Sequence, residues 1–321
     1  LEDGVQMDKR KIIIDTDCGS DDAMAIAMAL NDPSVEILFF TTVHGNVSAE
    51  QAAINTLITI EHSGSYEPSV YLGCQKPLLR ESVFAYETHG KDGMGDIGLK
   101  VKKLSIAEGN GVLKILDALR DSEAGEIEII TLGTLTNIAV AMMLDPDAMR
   151  KVKRISMMGS AGLGYGNVSP VAEFNIWQDA ESAKIVLDFG VPLLFVGWDA
   201  CLGEAMLHKD DIEKIRTGSD LGRFSIDCNR QLMELNTKRF GEPVLDMADP
   251  AAMAAILYPE CIRECDDYYC DVDISKGISY GAVLVDRCHD MPNKPNAAVC
   301  SALIGERFKE YLYRTLCESQ R

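Results

Sequence analysis

Four carboxylates, Asp15, Asp17, Asp21 and Asp22, fall within eight residues near the start of the chain. Strand alternation puts Asp15 and Asp17 on one face, while Asp21 and Asp22 stand where the next apolar stretch begins. Helix capping explains one or two of these acids, with Ser20 or Asp21 as N-cap and negative charge favoured at the positive end of the helix. Four of them in a partly desolvated cleft repel one another unless a cation sits among them. All-oxygen ligands suit a hard divalent ion, Ca2+ in preference to Mg2+.

A second polar group, Asn167, Glu173 and Asn175, falls within nine residues of one Gly/Asn-containing loop, with Phe174 between the last two. Such side chains grip hydroxyls, although a polar loop alone also holds them, and Gly166–Asn167 is ordinary turn chemistry.

These residues need elements to place them. Apolar runs at Lys11–Thr16, Val35–Val43, Glu126–Leu132, Val152–Met158 and Val191–Val196 predict strands. Helical stretches alternate with them at 21–30, 49–62, 111–119, 135–144 and 179–189. The C-terminal part is more helical, at 209–216, 224–238 and 250–257, with a strand at Gly281–Val285 and a last helix near 306–317. Repeated strand-then-helix order with apolar strands predicts an α/β fold, a Rossmann-like open, mostly parallel sheet flanked by helices. Without an internal repeat or low-complexity linker, residues 1–321 read as a single domain, with Leu1–Gln6 as an expression scar before Met7. In such sheets ligands bind beyond the carboxyl ends of the strands, where the polar motifs fall.

Composition narrows the partners. Lys and Arg number 31 against 50 Asp and Glu, a net charge of −19, which opposes binding to nucleic acid or to an anionic membrane. No apolar run approaches the roughly 20 residues of a membrane helix. The ten cysteines sit in a chain with apolar material enough to fold without disulfides, so they read as reduced thiols of a cytoplasmic protein.

A strand ending in Asp-x-Asp also opens haloacid-dehalogenase-type phosphatases, but the continuation Cys18-Gly19-Ser20-Asp21-Asp22-Ala23 fits them poorly. The stretch Ile13–Ala25 instead resembles the D-x-D-x-G-x-D-D-A motif of the nucleoside hydrolase family (inosine–uridine-type nucleoside N-ribohydrolases). V-H-G-N at Val43–Asn46, T-H-G-K-D-G-M-G-D at Thr88–Asp96 and L-G-T-L-T-N-I-A at Leu132–Ala139 resemble further family motifs, in order. Most specific is G-N-V-S-P-V-A-E-F-N-I-W-Q-D-A-E-S-A at Gly166–Ala183, followed by Ala248-Asp249-Pro250.

The resemblance implies hydrolysis of the N-glycosidic bond of a ribonucleoside to base and ribose. It makes Asp17 both a metal ligand and the base that deprotonates a metal-bound water, with Asp22, Asp249 and the Leu132 carbonyl completing the metal site. Asp15 is then an acceptor behind the ligands. Asp21, Asn175 and Asp249 would hold the 2′/3′ edge of the ribose with Asn46 nearby. Asn167 and Glu173 would take the 5′-hydroxyl, Phe174 would face the sugar, and His89 would contact substrate. Family members are often dimers or tetramers, so a homo-oligomer is expected.

Two positions depart from the best-known members. Ala248 stands where one branch has His and another Trp, so neither can activate the departing base; Cys18 replaces a usual Pro. Both features are similar to a Cys-containing third branch. His89, His44, Asn236 and Arg239 are the candidate substitutes, and loops 73–102 and 228–249 would carry base choice. A binding protein that lost leaving-group activation is the alternative reading. Trp177, Trp198 and Cys18 are expected to pack.

Overall fold

The structure, a computed structural model, describes residues 9–318; residues 1–6, read above as an expression scar, lie outside the described residues. In chain order the strands are β1 (Arg10–Thr16), β2 (Val35–Thr42), β3 (Ser69–Leu72), β4 (Ile127–Thr131), β5 (Arg154–Met158), β6 (Leu193–Val196), β7 (Ile262–Tyr268), β8 (Cys270–Val272), β9 (Val283–Val285) and β10 (Ala297–Leu303). The α-helices are α1 (Ser20–Leu30), α2 (Ala49–Ser63), α3 (Tyr86–His89), α4 (Gly111–Asp121), α5 (Thr136–Leu144), α6 (Pro146–Met149), α7 (Phe174–Gln178), α8 (Ala180–Asp188), α9 (Lys209–Gly218), α10 (Asp220–Asp227), α11 (Arg230–Phe240), α12 (Ala248–Leu257) and α13 (Gly305–Cys317).

Eight strands form an open sheet in the order β3-β2-β1-β4-β5-β6-β10-β7, parallel except for β7, which runs antiparallel to β10. Burial on both faces explains the apolar runs. In β1, Ile12 and Ile14 point into one core with α1, α2 and α12, whereas Ile13 points into the other with α4, α5 and α8. Each such isoleucine contributes on the order of 1.5–3 kcal/mol relative to an exposed one. The order reverses at β1, which lies between β2 and β4, so loops leaving adjacent strand ends diverge and open a crevice there.

The five expected central strands form, but the sheet has three more members. β3 is four residues long, β7 is an edge strand with exposed Arg263, Glu264, Asp266 and Asp267, and β10 is built largely of Ala, Cys and Ser. The expected strand at 281–285 shortens to β9, which pairs with β8 in a separate two-stranded sheet. The helix expected over 224–238 is two, α10 and α11, broken at Cys228–Asn229. There the Asn229 amide donates to the carbonyls of Ser20 and Ser225 at 2.8 and 2.9 Å. Among the described residues no helix is long and apolar enough to cross a membrane.

Candidate active site

The carboxyl ends of β1, β2, β4, β5 and β6 and the start of α12 surround a cavity of about 670 Å³. Asp21, Asn46, Leu132, Asn175 and Asp249 line it together with Asn167, Glu173, Phe174 and His89, so these nine expected substrate and ligand residues share one space. Asp17 and Asp22 are fully buried next to it.

Asp17 leaves β1 between two glycine backbones. A Cβ on Gly45 would lie 1.9 Å from Asp17 Oδ2, and one on Gly133 would lie 2.7 Å from Oδ1, so neither position admits a side chain as built. The Asn46 backbone N–H donates to Asp17 Oδ2 at 2.7 Å, while Oδ1 is buried without a protein partner. Asp22 accepts from Thr16 Oγ1 (2.5 Å), the Gly19 N–H (2.8 Å) and Asn46 Nδ2 (3.1 Å). Gly19, rather than Ser20 or Asp21, is the N-cap of α1; Asp22 serves it by reaching back from the third helical position. Asp249 likewise is not an N-cap: α12 begins at Ala248 after Met247, and the Asp249 side chain is left for the site.

Oxygens of Asp21, Asp22 and Asp249 lie within 4.8 Å of one another, all buried. Burial drives the carboxyls of Asp17, Asp22 and Asp249 above the ordinary range, and their mutual repulsion adds to it. Burial raises Asp21 to about 6. Buried acids that repel one another, with an orphaned buried oxygen on Asp17, match the donor set of a hard divalent cation. Asp21 belongs to the tight trio and Asp17 does not. Asp21 opens onto the cavity, whereas Asp17 lies behind it with the unsatisfied buried oxygen. Asp15 takes hydrogen bonds from Thr41 Oγ1 and, at 2.7 Å, Asn137 Nδ2, holding the end of β1 in place.

The polar loop is equally ordered. Glu173 caps α7, accepting from the N–H groups of Asn175 (2.8 Å) and Ser160 (3.1 Å), and burial raises its carboxyl to about 7. Asn167 Oδ1 accepts the Phe174 N–H at 2.9 Å. Asn175 Nδ2 donates to the Leu132 carbonyl at 2.7 Å.

His89 and His44 part company. The Ser20 N–H donates to His89 Nδ1 at 3.2 Å, so the proton is assigned to Nε2. Burial lowers His89 to about 4, so its 3.6 Å approach to Asp21 is not an ion pair at neutral pH. His44, also lowered to about 4 by burial, bonds Thr136 Oγ1 at 2.9 Å and does not line the cavity, which removes it as a substitute for the missing His. Asn236 and Arg239 do line it. Trp198 packs in the core as expected and also lines the cavity, while Trp177 packs on Gly281. Cys18 packs in the core with its thiol pushed up first by burial and then by Asp22.

Asp246 escaped the sequence reading. It is buried, lines the cavity and accepts from Asn236 Nδ2 at 2.6 Å. Its place three residues before Asp249 is the one sequence signal that could have flagged it.

A Rossmann-like sheet with a carboxylate-floored crevice at its switch point is the architecture of a small-molecule enzyme. The sequence matches the family described as inosine-uridine preferring nucleoside hydrolase over residues 12–310, and the chain belongs to that family of enzymes. It is 32% identical over 294 residues to the pyrimidine-specific ribonucleoside hydrolase RihB of Escherichia coli, covering 91% of this chain and 92% of that one. A plant nucleoside hydrolase, PpNRh1, superposes with a TM-score of 0.90 at 29% identity, covering 97% of this chain and all of that one. The purine-preferring ribonucleoside hydrolase from Gardnerella vaginalis gives 0.87 at 25% identity, covering 96% and 98%.

Proposed function

We propose that this chain, acting as one catalytic unit, hydrolyses the N-glycosidic bond of ribonucleosides to free base and ribose. Asp17, Asp22, Asp249 and the Leu132 carbonyl would hold a divalent cation, Ca2+ in preference to Mg2+. The supporting observation is the set of buried carboxylates beneath a cavity whose wall carries Asn167, Glu173 and Asn175. When bound, the cation offsets the carboxylate charge and makes a water easier to deprotonate.

Asp17 takes the proton of the attacking water as its oxygen bonds to C1′ and the C1′–N bond breaks. Asp21, Asn175 and Asp249 grip the 2′- and 3′-hydroxyls, and Glu173 and Asn167 the 5′-hydroxyl, orienting C1′ toward Asp17. The carboxylate floor stabilises positive charge developing on the ring in an oxocarbenium-like transition state. The base leaves toward the half of the cavity lined by Trp198, Leu235, Asn236 and Asp246. Cytoplasmic residence, read from the ten cysteines as reduced thiols, and assembly as a dimer or tetramer, implied by the family resemblance, belong to the same reading.

Incubation with Ca2+ and a panel of purine and pyrimidine ribonucleosides, scored for reducing-sugar release, tests it. Free ribose from at least one nucleoside is expected. Nucleoside binding without ribose release would favour the non-catalytic binding protein that Ala248 permits.

A further inference from the structure

Far along the sheet from the carboxylates, β10 and the edge strand β7 run antiparallel with Cys300 directly paired to Cys265. Opposed residues on antiparallel strands have Cα atoms about 4.5–5.5 Å apart. That falls inside the roughly 4.4–6.8 Å that a disulfide spans. The ladder is irregular just beyond the pair, where Ser301 is passed over and Ala302 pairs with Glu264. The two side chains share one face of the pair, and the Cys300 thiol is the largest influence on Cys265, drawing it below its ordinary value. The pairing, with burial, drives Cys300 up. Cys265 is partly exposed on the sheet edge and Cys300 is buried, an asymmetry that separates an attacking from a resolving thiol.

Neighbouring thiols do not share this arrangement. Cys261 is buried close by, yet among the described residues the three thiols do not come together as a three-ligand metal group. Burial pushes the thiols of Cys18, Cys201 and Cys228 up, and Cys288 is exposed.

We propose that Cys265 and Cys300 form a dithiol site that hydroperoxides convert to a disulfide. The Cys265 thiolate attacks one peroxide oxygen; the O–O bond breaks, Cys265 becomes a sulfenic acid, and with hydrogen peroxide the departing hydroxide takes a proton to become water. The Cys300 sulfur then attacks the Cys265 sulfur, the S–O bond breaks, and the Cys300 proton leaves with the hydroxyl as a second water. Two thiols are oxidised to one disulfide and one peroxide is reduced to two waters. The bond ties the edge strand to β10, whose Cys300 carbonyl already accepts the Gly197 N–H at 3.0 Å, next to Trp198 of the cavity.

The test treats the full chain with equimolar hydrogen peroxide, alkylates it under denaturing conditions, and maps peptides with and without reductant. A Cys265–Cys300 linked peptide, lost on reduction, is expected ahead of any oxidation of exposed Cys288. In Cys300→Ser, Cys265 should accumulate as a sulfenic acid trapped by a 1,3-dione, and Cys265→Ser should abolish both products while the fold, read by circular dichroism, is kept. Oxidation of Cys288 without the linked peptide, or Cys265 joined to a different cysteine, would overturn the proposal.

Discussion

The side-chain amide of Asn175 donates to the main-chain carbonyl of Leu132 at 2.7 Å, joining α7 to the end of β4 across the floor of the cavity. Through this bond, a residue expected to read the sugar also fixes the carbonyl expected to face the cation. Asn175→Ala is expected to raise KM about 10-fold, the worth of one or two hydrogen bonds, with a smaller change in kcat. Steady-state kinetics on the best nucleoside checks it. An unchanged KM would remove Asn175 from the sugar site.

Asp17 tests the chemistry more directly. Asp17→Asn keeps the shape and the acceptor for the Asn46 N–H but loses the base, so a kcat loss of about 10³-fold is expected. Gly45→Ala reaches the same carboxylate by crowding, because its Cβ would sit 1.9 Å from Asp17 Oδ2. A large loss of activity with a lowered Tm is expected for Gly45→Ala. Gly277→Ala, whose Cβ meets nothing within 4 Å, should leave both unchanged. Wild-type activity in Gly45→Ala would show that the carboxylate can move without consequence.

How far this site was legible follows from where its residues lie in the chain. Asp17, Asp21 and Asp22 announce themselves because one strand end and one helix start place them within a single turn of chain. Asn167, Glu173 and Asn175 do so because one loop carries them all. Asp246, just ahead of α12, and Trp198, just after β6, reach the cavity through tertiary packing, because α12 lies against both α1 and the turn at Trp198–Cys201, contacts between residues far apart in the chain. The fold shows the same division. The apolar central strands are plain, whereas β7 carries four charged residues because its edge faces solvent, and β10 is built largely of Ala, Cys and Ser. The break between α10 and α11 was unreadable because Asn229 makes it by bonding Ser20, more than two hundred residues away.

The acid floor also predicts how metal and pH act together. Burial raises Asp21 to about 6, so without a cation the folded chain retains a proton that the unfolded chain releases nearer 3.8. That contribution to stability is complete below about pH 4 and is lost as pH rises through about 6. Bound Ca2+ requires the carboxylates ionised, so its stabilising effect grows over the same range. With free Ca2+ held at 100 times its pH 8 Kd, about 2.7 kcal/mol is expected at pH 8 and clearly less at pH 5. Thermal unfolding with EDTA or excess Ca2+ at both pH values reads this. A Tm indifferent to Ca2+ at pH 8 would argue against a cation on these carboxylates.

The departing base needs a proton. Ala248 lines the cavity but offers only a methyl group. His89 is neutral above about pH 4, with Nδ1 already accepting from Ser20, so it can donate a hydrogen bond from Nε2 but carries no imidazolium proton. Asp246 is different: it lines the cavity and burial lifts its carboxyl above the ordinary range against the opposing bond from Asn236, which makes it the group to test as donor of the base's proton. Asp246→Asn preserves the shape and removes that proton. A loss of about 10²-fold in kcat/KM is expected on a natural nucleoside, against roughly 3-fold or less on a nitrophenyl riboside, whose leaving group departs without protonation. Equal losses on both substrates would place Asp246 in sugar binding instead. A selective loss in His89→Ala alone would return the role to the histidine. The comparison works because the two substrates share the ribose and the attacking water and differ only in how much help the leaving group requires.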